Sequence, residues 1–203
     1  MKEPFTVAID GPAAAGKGTI SRAIAAHFEF AHLDTGLLYR AVGSKFLTGA
    51  DPIKAALCLS PDTFDDKSLR GSEVTQAASK VATIPEVRAA LLDFQRAFAR
   101  RAGGAVLDGR DIATVVVPQS EVQLFITASP EVRARRRWSE MCERGDELPY
   151  DQVLKEVRLR DTRDTDRTTA PLKPGIQACI IDTTEMSVED AVAIAISKVE
   201  AKR

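Results

Sequence analysis

A glycine-bounded loop with one lysine is the first stretch of this sequence whose residue types suggest chemistry. Residues 7–19 read VAIDGPAAAGKGT, and within them Gly11, Gly16 and Lys17 satisfy the pattern GxxxxGK. Glycines let backbone amides turn inward on phosphate oxygens, the positive end of a following helix adds to that field, and the lysine reaches the outer phosphates. An apolar run precedes the motif and a helical pattern follows it. The stretch therefore predicts a mononucleotide-binding loop in preference to a glycine-rich turn with a surface lysine.

The residue after the lysine separates this loop from that of the GTPases. The common form has Ser or Thr there to hold magnesium, whereas here Gly18 intervenes and the hydroxyl belongs to Thr19. The sequence contains no asparagine, so the Asn-Lys-x-Asp loop that reads guanine in GTPases is absent. Some other group is therefore expected to receive the phosphoryl group.

Arginines recur in segments that follow predicted strands. Loops at that end of a parallel sheet share one crevice, where open α/β sheets bind ligands. In RLRDTRDTDR the spacing i, i+4, i+7 places Arg160, Asp164 and Arg167 on one face of a helix, with Arg163 adjoining them. The other candidates are Arg40 in DTGLLYR, and Arg110 beside Asp111 in LDGRDIA.

Each charged segment also has a plainer structural interpretation. A charge-rich helix at residues 158–167 is commonly a solvated face with internal ion pairs, and Arg110 with Asp111 would make an ordinary ion pair. RARRR at residues 133–137 is typical of a surface helix or of a nucleic-acid patch, and the net charge of −1 argues against the patch.

An excess of arginine suits one particular reaction. Transfer of a γ-phosphoryl group to an alcohol requires a base that takes a proton. A phosphate monoester has a second pKa of about 6, so at neutral pH it is already an anionic nucleophile. The obstacle is then to bring two polyanions together, which bidentate guanidinium groups and magnesium overcome by neutralising charge and fixing an in-line geometry.

Five short apolar runs are predicted to be the strands that position these groups. Helical patterns separate them, as is typical of a parallel sheet covered on both faces, so the predicted fold class is α/β and doubly wound. The last helical pattern opens with Ser187, and Asp190 follows in a capping-box arrangement. Residues 47–73, which are turn-rich, and residues 144–175, which are crowded with charge, are predicted to be mobile flaps at the functional end of the sheet. The five runs are FTVAID, EFAHLD, GAVLDG, VQLFITA and ACIIDTT.

Composition limits the class of protein. The chain has 203 residues, 44% hydrophobic and 28% charged, which is typical of one globular domain. Two histidines and no CxxC argue against a zinc site, and three scattered cysteines are typical of reduced thiols. No segment approaches the roughly 18 apolar residues of a membrane span. We expect a cytoplasmic monomer that binds neither nucleic acid nor membrane.

At these motifs the chain resembles the bacterial cytidylate kinase family of P-loop nucleoside monophosphate kinases. GKGT alone suits any such kinase, whereas DGRDIATVV together with RDxRDxxR is more specific. The resemblance implies a single kinase domain (1–203) built on a five-stranded parallel sheet with helices on both faces, a nucleoside-monophosphate-binding (NMP) segment and a lid. Many members have a small inserted sheet in the NMP segment, and residues 48–72 look too short for a complete one. The implied bounds are core 1–47, 84–140 and 172–203, NMP segment about 48–83, and lid about 141–171.

The resemblance also implies a role for each site residue. By this resemblance, the residues that bind the acceptor phosphate are Arg40, Arg110 and Arg167. The residues that face the edge of the cytosine base are Ser79, Arg88 and Asp111. The residues that contact the ribose are Arg160 and Asp164. Arg163 is placed near the transferring phosphoryl group, and Ser79 has a second interpretation as a small helix-packing residue. Thr35 completes the implied CMP-binding set, and the implied catalytic residues are Lys17, Arg110, Arg163 and Arg167. The implied ATP-binding residues are Gly11, Pro12, Ala13, Ala14, Ala15, Gly16, Lys17, Gly18 and Thr19.

The resemblance thus predicts ATP-dependent phosphorylation of CMP and dCMP, with UMP used more weakly, by direct in-line transfer. Mg²⁺ is expected to bind with ATP, without an assigned protein ligand. Two alternatives stay open. One is an alcohol kinase of the shikimate or gluconate type, with Asp34 as its base, and the other is an ATP-dependent nucleic-acid-binding module that uses RARRR.

Overall fold

The computed structural model describes residues 3–59, 69, 71–143, 145 and 148–203. A π-helical turn at Ile112–Val116 lies between the third and fourth strands. The strands and α-helices, in chain order, are β1 (Thr6–Asp10), α1 (Lys17–Phe28), β2 (Ala31–Asp34), α2 (Thr35–Leu47), α3 (Pro52–Leu57), α4 (Ser72–Val81), α5 (Pro85–Ala99), β3 (Ala105–Asp108), β4 (Val122–Thr127), α6 (Pro130–Glu143), α7 (Tyr150–Asp166), β5 (Cys179–Asp182) and α8 (Val188–Glu200).

The five strands form one parallel sheet in the order β2-β3-β1-β4-β5. Every one of the five apolar runs contains a strand, which confirms the predicted sheet. The three central strands β1, β3 and β4 are largely buried because helices cover both faces of the sheet there, whereas the edge strands β2 and β5 are more exposed. On one face Val7 and Ile9 pack with residues of α1 and α8, and on the other Ala8 packs with residues of α5 and the π-helical turn. The predicted α/β fold class is therefore confirmed.

The last helix begins as the sequence predicts. The Ser187 hydroxyl accepts a hydrogen bond from Asp190 N at 3.0 Å and donates one to Asp190 Oδ2 at 2.7 Å. The cap satisfies an amide that has no partner within the helix. Ala191, Ala195 and Val199 are then buried on the face toward the sheet.

Residues 47–73 were predicted to be turn-rich, and for one part this is wrong. Pro52–Leu57 form α3, because the Asp51 carboxylate accepts a hydrogen bond from Lys54 N at 2.8 Å and proline occupies the first helical turn. Residues 48–59 hold this helix and no strand, whereas residues 60–68 and 70 lie outside the described residues. The prediction that no complete small sheet forms here is therefore open for those positions.

Helices α2 and α4 approach each other unusually closely at Gly43. A Cβ built on Gly43 would lie 2.6 Å from Ala78 N, which is too close for any side chain. Glycine at this position therefore allows backbone-to-backbone packing of the two helices. No helix among the described residues has both the length and the apolar character needed to cross a bilayer.

Candidate active site

A cavity of about 290 Å³ opens at the carboxyl ends of the strands, the position expected for ligand binding in an open parallel sheet. The phosphate loop between β1 and α1 forms one side. The other side is formed by α2, α4, α5, α7 and the loop after β3. All nine predicted CMP-binding residues line this cavity: Thr35, Arg40, Ser79, Arg88, Arg110, Asp111, Arg160, Asp164 and Arg167.

The phosphate loop owes its shape to its glycines. Gly11 has φ 145°, and a Cβ there would lie 1.9 Å from Ile126 O of β4, so the loop rests directly on the backbone of the neighbouring strand. Gly16, with φ 94°, begins α1 in the left-handed region. Of the predicted ATP-binding residues, six line the cavity and three are buried without lining it. The lining residues are Ala13, Ala14, Gly16, Lys17, Gly18 and Thr19, and the buried ones are Gly11, Pro12 and Ala15.

Lys17 is folded back onto its own loop. Its Nζ donates to Pro12 O at 2.7 Å, and the side chain is buried. Burial, together with the positive charge of Arg110, lowers the pKa of Lys17 well below its ordinary value, while the Asp108 carboxylate acts in the opposite direction. An anionic ligand in the cavity would favour the charged lysine, as phosphate does in sites of this type.

One group of charges on the acceptor side is centred on Asp111. Its Oδ2 accepts a short hydrogen bond from Arg88 Nη2, and its Oδ1 lies 3.7 Å from Arg167 Nη2. Asp111 therefore pairs with these two arginines rather than with its neighbour Arg110, so the interpretation of Arg110 and Asp111 as an ion pair is wrong. Burial, with the neighbouring Arg88 guanidinium, lowers the pKa of Arg167.

A second group of charges is centred on Asp164 of α7. Its Oδ2 accepts a hydrogen bond from Arg110 Nε at 2.9 Å and lies 3.9 Å from Arg160 Nε. Burial alone would raise the pKa of Asp164, but the two guanidinium groups lower it below its ordinary value. Burial and the Arg110 charge lower the pKa of Arg160 to about 9. The two groups together hold four arginines and two carboxylates, so positive charge is in excess.

Three buried guanidinium nitrogens in this cavity make no hydrogen bond within the described part of the chain. They are Arg40 Nε, Arg160 Nε and Arg167 Nη2. A buried donor without an acceptor costs about 1–3 kcal/mol, and more when it is charged. These three donors come from different elements and line one cavity, so an anionic ligand with several acceptor oxygens would satisfy them together.

The predicted position of Arg167 on a helix face is wrong, although its place in the cavity is right. α7 ends at Asp166, and Arg167 has φ −61° and ψ 137°, which is extended backbone. The turn lets Arg167 Nε donate to Ala170 O and directs the guanidinium toward Asp111. Helical spacing alone does not reveal where a helix stops.

Arg163, to which the resemblance implies a catalytic role, contacts helix α4 in this structure. Its Nη1 donates to Ser79 Oγ of α4 at 2.9 Å, and its side chain does not line the cavity. Ser79 is buried and lines the cavity. The contact joins α7 to α4, which are 84 residues apart at this point.

Asp10 connects the phosphate loop to the loop that carries Asp111. It is the last residue of β1, and its two carboxylate oxygens accept hydrogen bonds from Ile112 N and Ala113 N, both at 2.8 Å. Burial raises the pKa of Asp10 to about 6. Because the π-helical turn begins directly after Asp111, this carboxylate fixes the start of the phosphate loop relative to the acceptor side.

The sequence predictions missed several residues that line the cavity. Arg22 lies one helical turn after Gly18, and Arg137 and Glu140 follow Arg133 at i+4 and i+7 on α6. The same spacing that identified the face of α7 would have identified these side chains. Tyr39 and Asp108 also line the cavity, at the ends of segments already singled out.

A phosphate loop after the first strand of a five-stranded parallel sheet, in one cavity with a cluster of partly buried arginines, defines a P-loop kinase. Solved structures agree with this fold at low sequence identity. One is a gluconokinase from Sinorhizobium meliloti, with a TM-score of 0.54 and 13% sequence identity, which covers 99% of this chain and 94% of that one. Another is a shikimate kinase from Bacteroides thetaiotaomicron, with a TM-score of 0.52 and 13% sequence identity, which covers 97% of this chain and 98% of that one.

The chain belongs to the cytidylate kinase family. The family model described as Cytidylate kinase matches residues 7–63 and 54–201. A protein named cytidylate kinase from Cereibacter sphaeroides is 59% identical over 199 residues, covering 98% of this chain and 97% of that protein. A second, from Methylocella silvestris, is 52% identical over 201 residues, covering 96% and 93%. The resemblance drawn from the sequence motifs is therefore confirmed.

Proposed function

We propose that the chain transfers the γ-phosphoryl group of ATP directly and in line to the phosphate of CMP, with the phosphate loop holding ATP and the arginine-rich side holding CMP. Membership of the family makes the overall reaction ATP-dependent phosphorylation of CMP. The observation that carries the residue-level proposal is the set of three buried guanidinium nitrogens without acceptors among the described residues, which belong to side chains that line the same cavity as the phosphate loop.

The acceptor phosphate needs no base in this site. As a monoester with a second pKa of about 6 it is a dianion at neutral pH, and its own oxygen is the nucleophile. The proposed roles of Arg40, Arg110 and Arg167 are to bind this phosphate, neutralise its charge and hold its oxygen in line with the γ-phosphorus. Lys17 and the loop amides stabilise the charge on the ATP phosphates, and ADP leaves as the new bond forms.

The base is selected by a complementary pair of charges. The cytosine 4-amino group donates to the Asp111 carboxylate, while Arg88 donates to the ring nitrogen and carbonyl. Ser79 assists because its hydroxyl is both donor and acceptor. Uracil presents a carbonyl at the 4-position, which a carboxylate repels, so UMP is used more weakly. We assign the ribose contacts to Arg160 and Asp164.

The cavity fits a magnesium ion bound with ATP. Mg²⁺ usually takes one or two protein oxygens, with phosphate oxygens and waters completing its shell, so it needs no cage of side chains. Within the described residues no three His, Cys, Asp or Glu residues converge on a point. Thr19, Asp34 and Asp108 line the cavity and carry oxygens that would hold the ion, which would neutralise charge on the phosphates.

The structure offers little to the two alternative functions. Asp34, the base that an alcohol kinase would need, is held by Arg40 Nη2 at 2.7 Å from its Oδ2. In RARRR, Arg133 and Arg136 donate to groups inside the protein, so the cluster is no free basic patch. The predictions of a cytoplasmic location, of a monomer and of the lid and NMP segment bounds remain predictions.

One assay tests the proposal. ADP formation from Mg²⁺ and ATP is followed by enzyme coupling, with CMP, dCMP, UMP, shikimate, gluconate and a single-stranded oligonucleotide each added in turn. We expect rapid ADP formation with CMP and dCMP, slower formation with UMP and none with the other three. Turnover with an alcohol acceptor and not with CMP would contradict the proposal.

A further inference from the structure

One arginine of the RARRR cluster is buried rather than solvated. Arg133 of α6 is only 3% exposed. Its Nε donates to Ala128 O at 2.8 Å and its Nη1 to Ala13 O at 3.3 Å. Nη1 and Nη2 also donate to Asp161 Oδ1 and Oδ2 of α7, at 2.9 Å and 2.6 Å. A single side chain therefore joins the end of β4, the phosphate loop and α7.

The bond to Ala13 O fixes one peptide of the phosphate loop. In a trans peptide the C=O and the N–H point in opposite directions, so holding Ala13 O toward Arg133 turns the N–H of Ala14 away from it. Ala13 and Ala14 both line the cavity, and Ala14 has a φ of 59°, which is unusual for a residue other than glycine. Arg133 thus supports a strained part of the loop from the side opposite the ligand.

The bonds to Asp161 fix the position of α7. Asp161 directly follows Arg160 and lies three residues before Asp164, and both of these neighbours line the cavity on the acceptor side. A bidentate pair between a guanidinium and a carboxylate holds both distance and orientation. A shift or rotation of α7 would break both bonds and leave the buried Arg133 charge without compensation.

We propose that Arg133 is a positioning residue that couples the phosphate loop to the acceptor-binding side chains of α7, so that ATP and CMP strengthen each other's binding. This inference rests on the proposed function, because it takes ATP and CMP as the ligands of the two sides. Each ligand favours one ordered arrangement of its own side, and Arg133 makes the two ordered arrangements occur together. Coupling between two bound ligands is reciprocal, so the effect is measurable from either side.

The test measures how one ligand changes the affinity of the other. Calorimetric titration gives the Kd of CMP alone and in the presence of Mg²⁺ with saturating β,γ-imido ATP, which is not hydrolysed. We expect the analogue to tighten CMP binding about fivefold or more in the wild type. Arg133→Lys keeps the positive charge but loses the planar guanidinium group, and Asp161→Asn loses the carboxylate. In both variants the ratio of the CMP Kd without the analogue to the CMP Kd with it should fall to within about twofold of 1.

Two control variants remove similar contacts that do not join the two sides. Arg158→Gln removes an exposed ion pair with Glu131 (2.7 Å) that also links α7 to α6. Arg136→Gln removes hydrogen bonds to Thr183 from α6, the helix that also carries Arg133. Both controls should keep the wild-type coupling factor, even where they lower the melting temperature.

The inference is overturned if folded Arg133→Lys and Asp161→Asn keep the wild-type factor, or if the wild type binds both ligands without any coupling. Cooperative thermal unfolding establishes that each variant is folded. Should Arg133→Lys fail to fold, Asp161→Asn decides, since this side chain is 25% exposed and its replacement leaves no cavity. Failure of the wild type to bind CMP or the analogue at all would instead refute the proposed function.

Discussion

The two sides of the cavity are built in opposite ways. The phosphate loop is made by consecutive residues, and its shape follows from glycine conformations and from close contact with the backbone of β4. The acceptor side is made by charged side chains from α2, α5, α7 and the loop after β3, together with uncharged side chains of α4. The phosphate loop is thus formed by the backbone of neighbouring residues, whereas the acceptor side is a network of ion pairs between distant parts of the chain.

This difference predicts how each side responds to change. A backbone site presents fixed amides, so its ligand contacts survive the loss of most single side chains. A network of buried charges shares each carboxylate between two guanidinium groups, so removing one member leaves another without a partner. The phosphate loop should depend strongly on its one lysine, and the acceptor side should show effects spread over several residues.

The largest effect is expected for Lys17→Ala, which removes the only cationic side chain of the phosphate loop. Phosphoryl transfer should fall by about 10²–10³-fold, or about 2.7–4 kcal/mol, as when a charge-stabilising donor is removed from an active site. The fold should survive, because burial disfavours the lysine cation in the folded protein. The measurement is kcat with saturating ATP and CMP, beside a thermal unfolding curve. Normal turnover in a folded Lys17→Ala protein would exclude this lysine from the reaction, and Lys80→Ala, on the exposed surface, serves as control.

The second effect concerns Asp10, which joins the two sides. Its pKa is raised from 3.8 to about 6 in the folded protein. Between these values the folded state binds more protons than the unfolded state, so the free energy of unfolding should fall as pH rises from about 4 to about 6, by about 3 kcal/mol. Asp10→Asn should remove this slope. Urea unfolding at several pH values between 4 and 7 measures it, with Asp93→Asn, exposed on α5, as the variant that should keep the wild-type slope.

A smaller effect, about 1.5–3 kcal/mol, is expected for Arg167→Ala, because a hydrogen bond to a charged group is lost on the acceptor side. Turnover and CMP affinity should fall about 10–100-fold while the Kd of ATP stays within about twofold of the wild type. Arg96→Ala, which among the described residues removes hydrogen bonds to Val115 O and Val116 O outside the cavity, is the matched control. Equal losses of ATP affinity and turnover would show that the two sides are not separable in this way.

The smallest effect is expected in base selection. Asp111→Ala should lower kcat/KM for CMP more than kcat/KM for UMP. The ratio of these two values should therefore decrease roughly ten- to hundredfold, which corresponds to about 1–3 kcal/mol. UMP is the internal control, because both acceptors carry the same phosphate. If kcat/KM falls by the same factor for both, Asp111 serves to orient Arg88 and Arg167 and does not read the base.

The parts of the molecule that the sequence predicted well are those with local causes. Each strand lies in a short, largely apolar run, the central strands β1, β3 and β4 are largely buried, and the phosphate loop is a contiguous motif. The resemblance placed Arg88 and Asp111 at the same edge of the base, but residue spacing predicts neither their ion pair nor the bond from Arg163 to Ser79, since these partners lie 23 and 84 residues apart. Ion-pair partners depend on how helices pack, which residue spacing within one helix does not encode.

Arg133 is a residue whose sequence pattern predicted exposure to solvent, whereas the structure shows it to be buried. In the sequence it is one of four arginines within five residues, which is typical of a solvated helix face. Its burial depends on Asp161, which is 28 residues away, and on a carbonyl of the phosphate loop. The extended backbone at Arg167 was equally hidden, because the charged pattern continues past the end of α7.

The close approach of α2 and α4 at Gly43 has a consequence for which acceptors fit. Arg40, proposed to hold the acceptor phosphate, lies on α2, and Ser79, proposed to face the base, lies on α4 next to Ala78. Since the two backbones are in contact, the separation between these side chains is set by the protein before any ligand binds. With these proposed roles, the spacing between the phosphate and base contacts is set before binding, and we expect a nucleotide with a larger base to be selected against by its size as well as by its hydrogen bonds.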